Sequence, residues 1–375
     1  MIDTINRTNI LLDYNGVLFD YVCLEGMMSF APNFLTMHVG SFPHLKSDQL
    51  IQNLISKLDI PGWPQLPKRD FRENMYVQFS SALPAVILDD EREKIYFEVR
   101  EDISADLEKF YEKYLADDLE AFSIPAAYSD GFNKHLAYFS GVEGQWIKGQ
   151  VTGPVSFGLT VTDQDLRSIL YHEFLADVIV KNTVMIARWQ IKELQKIRSN
   201  VLVSIDEPYM ASFGSAYINL SRGQVLEMLN EIFDAIRNEG AFSSVHCCAN
   251  TDWSVLLSSN VDVVNLDSHG YIENLMLYPV EMREFLDRGG AIAWGLLPTD
   301  RLVVQSNPQE MADKLRADIA LLSAKARRHG VTITPDEFAT HSIVAPACGL
   351  GTTTLSTAEK AIEILIETGN ILQRG

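Results

Sequence analysis

Asn200-Val201-Leu202-Val203-Ser204-Ile205-Asp206-Glu207-Pro208 is a short, near-continuous apolar run closed by two carboxylates and a proline. A strand that reads apolar along both faces is covered on both faces, as in a parallel sheet packed between helices. The same pattern recurs at 36–42, 146–152, 243–248, 261–267, 291–297 and 342–348. The stretches between these runs are amphipathic and carry helix signals. Ser221 with Gln224 and Ser356 with Glu359 are spaced as capping boxes, and Asn307-Pro308 puts a proline at a first helical position. Gly330 stands where a C-terminal cap belongs. Asp163 is expected to cap a long helical stretch, one helix or two, running to about residue 198. Strands alternating with helices predict an α/β fold with a parallel sheet. Seven strands are clear, and the poorly periodic 60–145 region has room for an eighth. A closed (β/α)8 TIM barrel is therefore favoured over an open doubly wound sheet.

Residues 34–375 are assigned to the barrel and residues 1–33 to an N-terminal extension. In the extension, β-prone runs at 9–13 and 17–22 flank Asn15-Gly16, a dipeptide that favours a tight hairpin turn. The chain has 375 residues, with 31 Lys and Arg against 50 Asp and Glu, for a net charge of −19. So acidic a surface repels phosphate backbones and anionic lipid, so no nucleic acid and no membrane is expected as a partner. The first thirty residues lack a basic segment followed by an apolar one, and no apolar run approaches membrane-spanning length. Four scattered cysteines, Cys23, Cys247, Cys248 and Cys348, do not form a disulfide framework and fit a reducing cytoplasm. A homodimer is left open. Val39-Gly40-Ser41-Phe42-Pro43, after the first strand, matches neither a Walker loop nor a dinucleotide fingerprint.

In a barrel the C-terminal strand ends carry the active site. Here they carry Ser41, Thr152, Asp206-Glu207, His246-Cys247-Cys248, Asp267 and Cys348. On an extended strand residues i and i+2 face the same way, so His246 and Cys248 face together and Cys247 faces the opposite side. With Asp267 and Cys348 they make one nitrogen, two sulfur and one oxygen donor, a set that zinc accepts. Any one of these residues alone reads as an ordinary core side chain, and Cys23 and Cys247 are left in that class. Asp206 and Glu207 can bind a substrate amine or act as acid and base. A helix cap or a loop ion pair is the alternative for them.

Five motifs in order resemble the catalytic half of cobalamin-independent methionine synthase, within the uroporphyrinogen decarboxylase and zinc methyltransferase superfamily. They are Val39-Gly40-Ser41-Phe42-Pro43, Lys148 to Pro154, Ile205-Asp206-Glu207-Pro208, His246-Cys247-Cys248 and Cys348-Gly349-Leu350, and the likeness spans roughly 35–370. The resemblance implies zinc on His246, Cys248 and Cys348, with Asp267 where the family has a glutamate. It also implies a thiol acceptor held by Gly40 and Ser41, with Asp206 and Glu207 gripping its amine as the catalytic pair. The family's histidine before Ser-Pro is replaced by Trp294-Gly295-Leu296-Leu297-Pro298, and Arg72-Glu73-Asn74-Met75 only echoes its second substrate segment. His246-x-Cys248-x-Asn250-Thr251 is closer to the corrinoid-protein:coenzyme M methyltransferases. With one barrel's worth of chain, a methylated corrinoid, free or on a small corrinoid protein, is expected as donor ahead of methyltetrahydrofolate. The expected activity is methyl transfer to a small thiol, homocysteine favoured. The alternatives are another thiol, a decarboxylase-like enzyme, or a non-catalytic zinc- or corrinoid-binding protein.

Overall fold

The structure is a computed structural model that describes residues 30–100, 102–215 and 218–375. The expected hairpin at 9–13 and 17–22 lies outside the described residues. Residues 31–375 form one unit. Its strands are β1 (Leu35–Thr36), β2 (Val86–Asp89), β3 (Lys94–Phe97), β4 (Trp146–Thr152), β5 (Asn200–Asp206), β6 (Phe242–Cys247), β7 (Val263–Leu266), β8 (Ala291–Leu297) and β9 (Ser342–Pro346). Seven of them make one parallel sheet in the order β1-β9-β8-β7-β6-β5-β4. Three of the expected runs, 146–152, 200–206 and 291–297, coincide with β4, β5 and β8.

Residues 60–65 close the ring between β1 and β4. Parallel bridges join Met37 to Ile60 and Ser41 to Gln65 on one side, and Gly62 to Lys148 on the other. The hydrogen bonds are real ones: Ile60 N to Thr36 O at 3.0 Å, Gln65 N to Gly40 O at 3.0 Å, and Lys148 N to Pro61 O at 2.9 Å. Pro61 and Pro64 have no N–H to add, so the eighth member is a broken ladder rather than a regular strand. This is the (β/α)8 barrel, with its eighth position inside the 60–145 region. The antiparallel hairpin of β2 and β3 in that region is an addition that the sequence pattern did not show.

The flanking helices follow their caps, with two corrections. Ser221 and Gln224 form the capping box of helix Arg222–Asn238, and Asn307 caps Pro308–Arg328. Gly330 adopts a φ of 78°, the left-handed conformation that glycine tolerates. The box expected at Ser356 and Glu359 is not formed, because Thr354 caps Leu355–Arg374 two residues earlier. Asp163 does not cap the long helix Glu173–Gln195. It accepts instead from the Asp165 and Arg167 amides, each at 2.9 Å, and so holds a tight turn. No helix of the described residues is long and apolar enough to cross a membrane.

Side-chain direction around β4 shows what lies inside. A Cβ added to Gly149 would meet Gln190 and Leu194 of the outer helix, so Gly149 faces outward. Its neighbours Lys148, Gln150 and Thr152 therefore face the barrel interior. The closing segment is itself packed from outside by helix Gly131–Phe139, whose first residue touches Pro64. A Cβ on Gly131 would sit 2.3 Å from the Pro64 carbonyl oxygen, a backbone atom that cannot swing aside. Gly131→Ala is expected to destabilise the fold by about 1–3 kcal/mol through overpacking, read as a lower urea midpoint at unchanged slope. An unchanged midpoint would mean that the closing segment moves freely.

Candidate metal and substrate site

Strand register builds the site. Thr152 pairs with Asp206, Asp206 with His246, His246 with Asn265, and Asn265 with Ala293, so one rung of the barrel runs through four polar side chains. Cys248 lies just past the end of β6, and Cys348 two residues beyond β9. One His246 ring nitrogen and the Cys248 and Cys348 sulfurs all lie within 4.8 Å of one another. Cys247 takes no part: it is fully buried among apolar side chains, donates to the Ala249 carbonyl, and burial pushes its thiol up to about 12.

The donor chemistry of the three groups suits a thiophilic metal. Asn265 donates from Nδ2 to the Ala293 carbonyl at 2.9 Å, which turns its Oδ1 toward His246 Nδ1. Nδ1 then donates to Asn265, and Nε2 is the ring nitrogen that could be given to a metal. That Nε2 is buried and makes no hydrogen bond of good geometry. The Cys348 S–H and the His246 ring, acting together, hold the Cys248 thiol down to about 4. Cys348 is raised in turn by the Cys248 sulfur and by burial. One imidazole nitrogen and two sulfurs are what zinc takes in tetrahedral sites.

The cluster opens on a cavity of about 410 Å³ lined by Ser41, Asp206, His246, Cys248, Cys348 and the loop residues Lys68, Asn74, Met75, Gly349 and Thr352, among others. The 72–75 segment that only echoed the family pattern thus reaches the cavity wall through Glu73, Asn74 and Met75. Asp206 is buried, and its Oδ1 accepts from Ser204 Oγ at 3.0 Å. Burial raises its carboxyl, while Lys148 and His246 pull the other way. Ser41 Oγ accepts from the Gly351 amide at 3.3 Å, and a Cβ on Gly349 would sit 2.2 Å from that hydroxyl. Gly40 contributes backbone, its carbonyl accepting from Gln65 N.

Two of the carboxylates expected at the site are placed elsewhere. Glu207 is fully buried and accepts from Val155 N at 3.0 Å, Ser156 N at 2.7 Å and Ser156 Oγ at 2.6 Å. It therefore holds the start of helix Pro154–Thr160, and it is not among the cavity-lining residues. Burial pushes it up to about 7 against those donors. Asp267 stands outside the three-residue cluster, where its Oδ1 caps the short helix Ser268–Tyr271 by accepting from Gly270 N at 3.0 Å. The sequence pattern assigned no role to Asn265, and it placed Lys148 only within a motif. The signal for Asn265 was present, an amide on the strand next to His246. Lys148, a lysine inside an apolar run, was the other.

No protein-family model matches the chain, and no curated protein does either. Among solved structures it is similar to a B12-independent methionine synthase from Shewanella sp. W3-18-1 in complex with selenomethionine. The identity is 16% over 87% of this chain and 86% of that one, with a TM-score of 0.46. It is similar to a methyltransferase from Methanosarcina mazei at 12% identity, covering 85% and 82%, with a TM-score of 0.44. A hyperthermophilic β-glucosidase from Pyrococcus furiosus gives 11% identity, 88% and 84% coverage, and a TM-score of 0.39. Likeness at this level carries no chemistry, so function is argued from the site.

Asn265 gives a direct check on the ligand geometry. Asn265→Ala removes the acceptor that fixes the His246 tautomer, and affinity for zinc should fall about ten- to a hundred-fold in competition with a chelating dye. Unchanged affinity would mean that His246 is not a ligand.

Proposed function

We propose that this chain is a zinc-dependent S-methyltransferase whose acceptor is a small thiol, homocysteine foremost, giving methionine. The observation that carries the proposal is the facing of three zinc-type donors, His246 Nε2, Cys248 and Cys348, onto a cavity rather than into a closed core. Three protein ligands with one position left for substrate are the pattern of catalytic zinc, whereas four closed ligands are the structural pattern. Bound there, zinc would hold an incoming thiol as its thiolate, which a free thiol of pKa about 8.5 mostly is not at neutral pH.

The chain's own residues divide the remaining work. Asn265 keeps the proton on His246 Nδ1. Asp206 offers a buried carboxylate on the cavity wall to a cationic amine. Ser41 and the 349–351 turn form the wall beside Cys348, so a thiol between them is held in one orientation, a positioning effect. Glu207 acts indirectly, through the helix start that it holds. A methylated corrinoid, free or on a small corrinoid protein, is the proposed donor, resting on the likeness of the His246-x-Cys248-x-Asn250-Thr251 segment.

Metal analysis comes first. The purified protein should carry about one zinc per chain, with Cys248→Ser and Cys348→Ser losing most of it and Cys247→Ser retaining it. Loss from Cys247→Ser alone would invert the strand facing on which the site rests. Methyl transfer to homocysteine should be seen from methylcobalamin, and turnover from methyltetrahydrofolate instead would replace the corrinoid.

Substrate grip is tested separately. A charge-assisted contact contributes roughly 1.5–3 kcal/mol. Asp206→Asn should therefore weaken homocysteine by about ten- to a hundred-fold while zinc content stays intact. An amine-free thiol should be unaffected, and equal losses for both would remove Asp206 from the amine-binding role.

A further inference from the structure

Two loops frame the mouth of the cavity, one following residues 60–65 and the other following β9. Lys68 reaches from the first loop to the second and donates from Nζ to the Thr353 carbonyl at 2.6 Å. The residue is exposed, and it lines the same cavity as the metal cluster.

Its electrostatic situation is unusual for this chain. Acids outnumber bases 50 to 31, yet among the described residues no carboxylate pairs with Lys68, and its acceptor is a neutral carbonyl. Glu73, the acid lining the same part of the cavity, is already engaged. Its carboxylate accepts from Leu66 N at 2.8 Å, Arg69 Nε at 2.6 Å and Asp130 N at 3.2 Å. An ammonium has three donors, and Lys68 uses one. The opposite loop is built for close approach. Gly349 and Gly351 leave space beside Ser41 that a Cβ would fill, at 2.2 and 3.1 Å from its hydroxyl, and Thr352 lines the cavity next to them.

Cations in the cavity lining are scarce. Asp206 offers a negative charge at the inner wall, and Lys68 offers a positive one at the mouth. A ligand whose sulfur reaches Cys248 and Cys348 while its other end lies over the 349–352 loop brings that end to the Lys68 ammonium.

We propose that Lys68 is a specificity-determining residue that reads an anionic group on the acceptor, so that the site prefers thiols bearing a carboxylate or sulfonate to neutral thiols. The proposal rests on the thiol reading of the site given above. It deepens that reading by assigning the far end of the substrate.

The test uses the full-length protein with cobalt in place of zinc, titrated in its visible spectrum with three thiols. They are 3-mercaptopropionate, 2-mercaptoethanesulfonate and the neutral 3-mercapto-1-propanol. The parent should bind both anionic thiols more tightly than the alcohol. Lys68→Met should weaken the anionic thiols about three- to ten-fold and leave the alcohol unchanged, while Lys68→Arg keeps the preference. Weakening of one anion alone would narrow the acceptor to that anion's class and still support the assignment. Equal affinity of the parent for charged and neutral thiols overturns the proposal and leaves the thiol reading standing. Equal losses for all three thiols in Lys68→Met make Lys68 a latch between loops and also overturn it. A spectrum that no thiol moves overturns the thiol reading and this proposal together.

Discussion

Lys148 is an ammonium with no solvent exposure, and its hydrogen-bond partners are two neutral oxygens, Val39 O at 2.6 Å and Gln150 Oε1 at 3.1 Å. A lone charge in a barrel interior is costly. The opposite charge nearby is Asp206, also buried. Burial pulls Lys148 down to about 8 while Asp206 works against the fall, and burial raises Asp206 while Lys148 opposes the rise. Each opposes the other's loss of charge. The counter-charge of the Asp206 carboxylate comes from the neighbouring strand, four positions deeper in the barrel. The polar row of Asp206, His246 and Asn265 follows from the same register, so the site and its electrostatic support are one feature of the sheet.

That register depends on the ring being closed at 60–65. Gly62 lies against both neighbours, where an added Cβ would meet His38 at 3.0 Å and the Lys148 Cβ at 3.3 Å. A side chain there would press on the lysine from below. The prolines that deny this segment a regular ladder also stiffen its backbone, so closure comes from a few well-placed bonds and tight packing. The outer shell is conventional by comparison, with long apolar helix faces over apolar strands.

The strands were legible because burial on both faces writes the same apolar signature each time, and β4, β5 and β8 end where the runs end. The 60–65 segment was not, since two prolines and a glycine in six residues read as a turn. His246, Cys248 and Cys348 could be read because sulfur and imidazole at strand ends have few competing uses. Carboxylates there have several. Asp206, Glu207 and Asp267 look alike in sequence, yet one faces the cavity, one holds the start of a preceding helix and one caps the helix that follows it. A strand end in a parallel sheet is also a helix approach, and an acidic residue serves either purpose. Asn265 was hidden for another reason: its role exists only across the register with His246.

The cap on Asp267 bears on the fourth metal position. To ligate, its carboxylate would have to give up the Gly270 amide, and an N-cap of this kind stabilises a helix by about 0.5–2 kcal/mol. That is about one decade in affinity, small beside a metal–thiolate bond but enough to bias an otherwise even exchange. A glutamate at this position would be one methylene longer than the aspartate at 267. Shortening the side chain suits the cap, because a carboxylate one bond from Cβ is the length that reaches back to an amide two or three residues on. Side-chain length and the cap therefore favour the same outcome. On the proposed function, three ligands would stay with the protein and the fourth position would be left to an incoming sulfur.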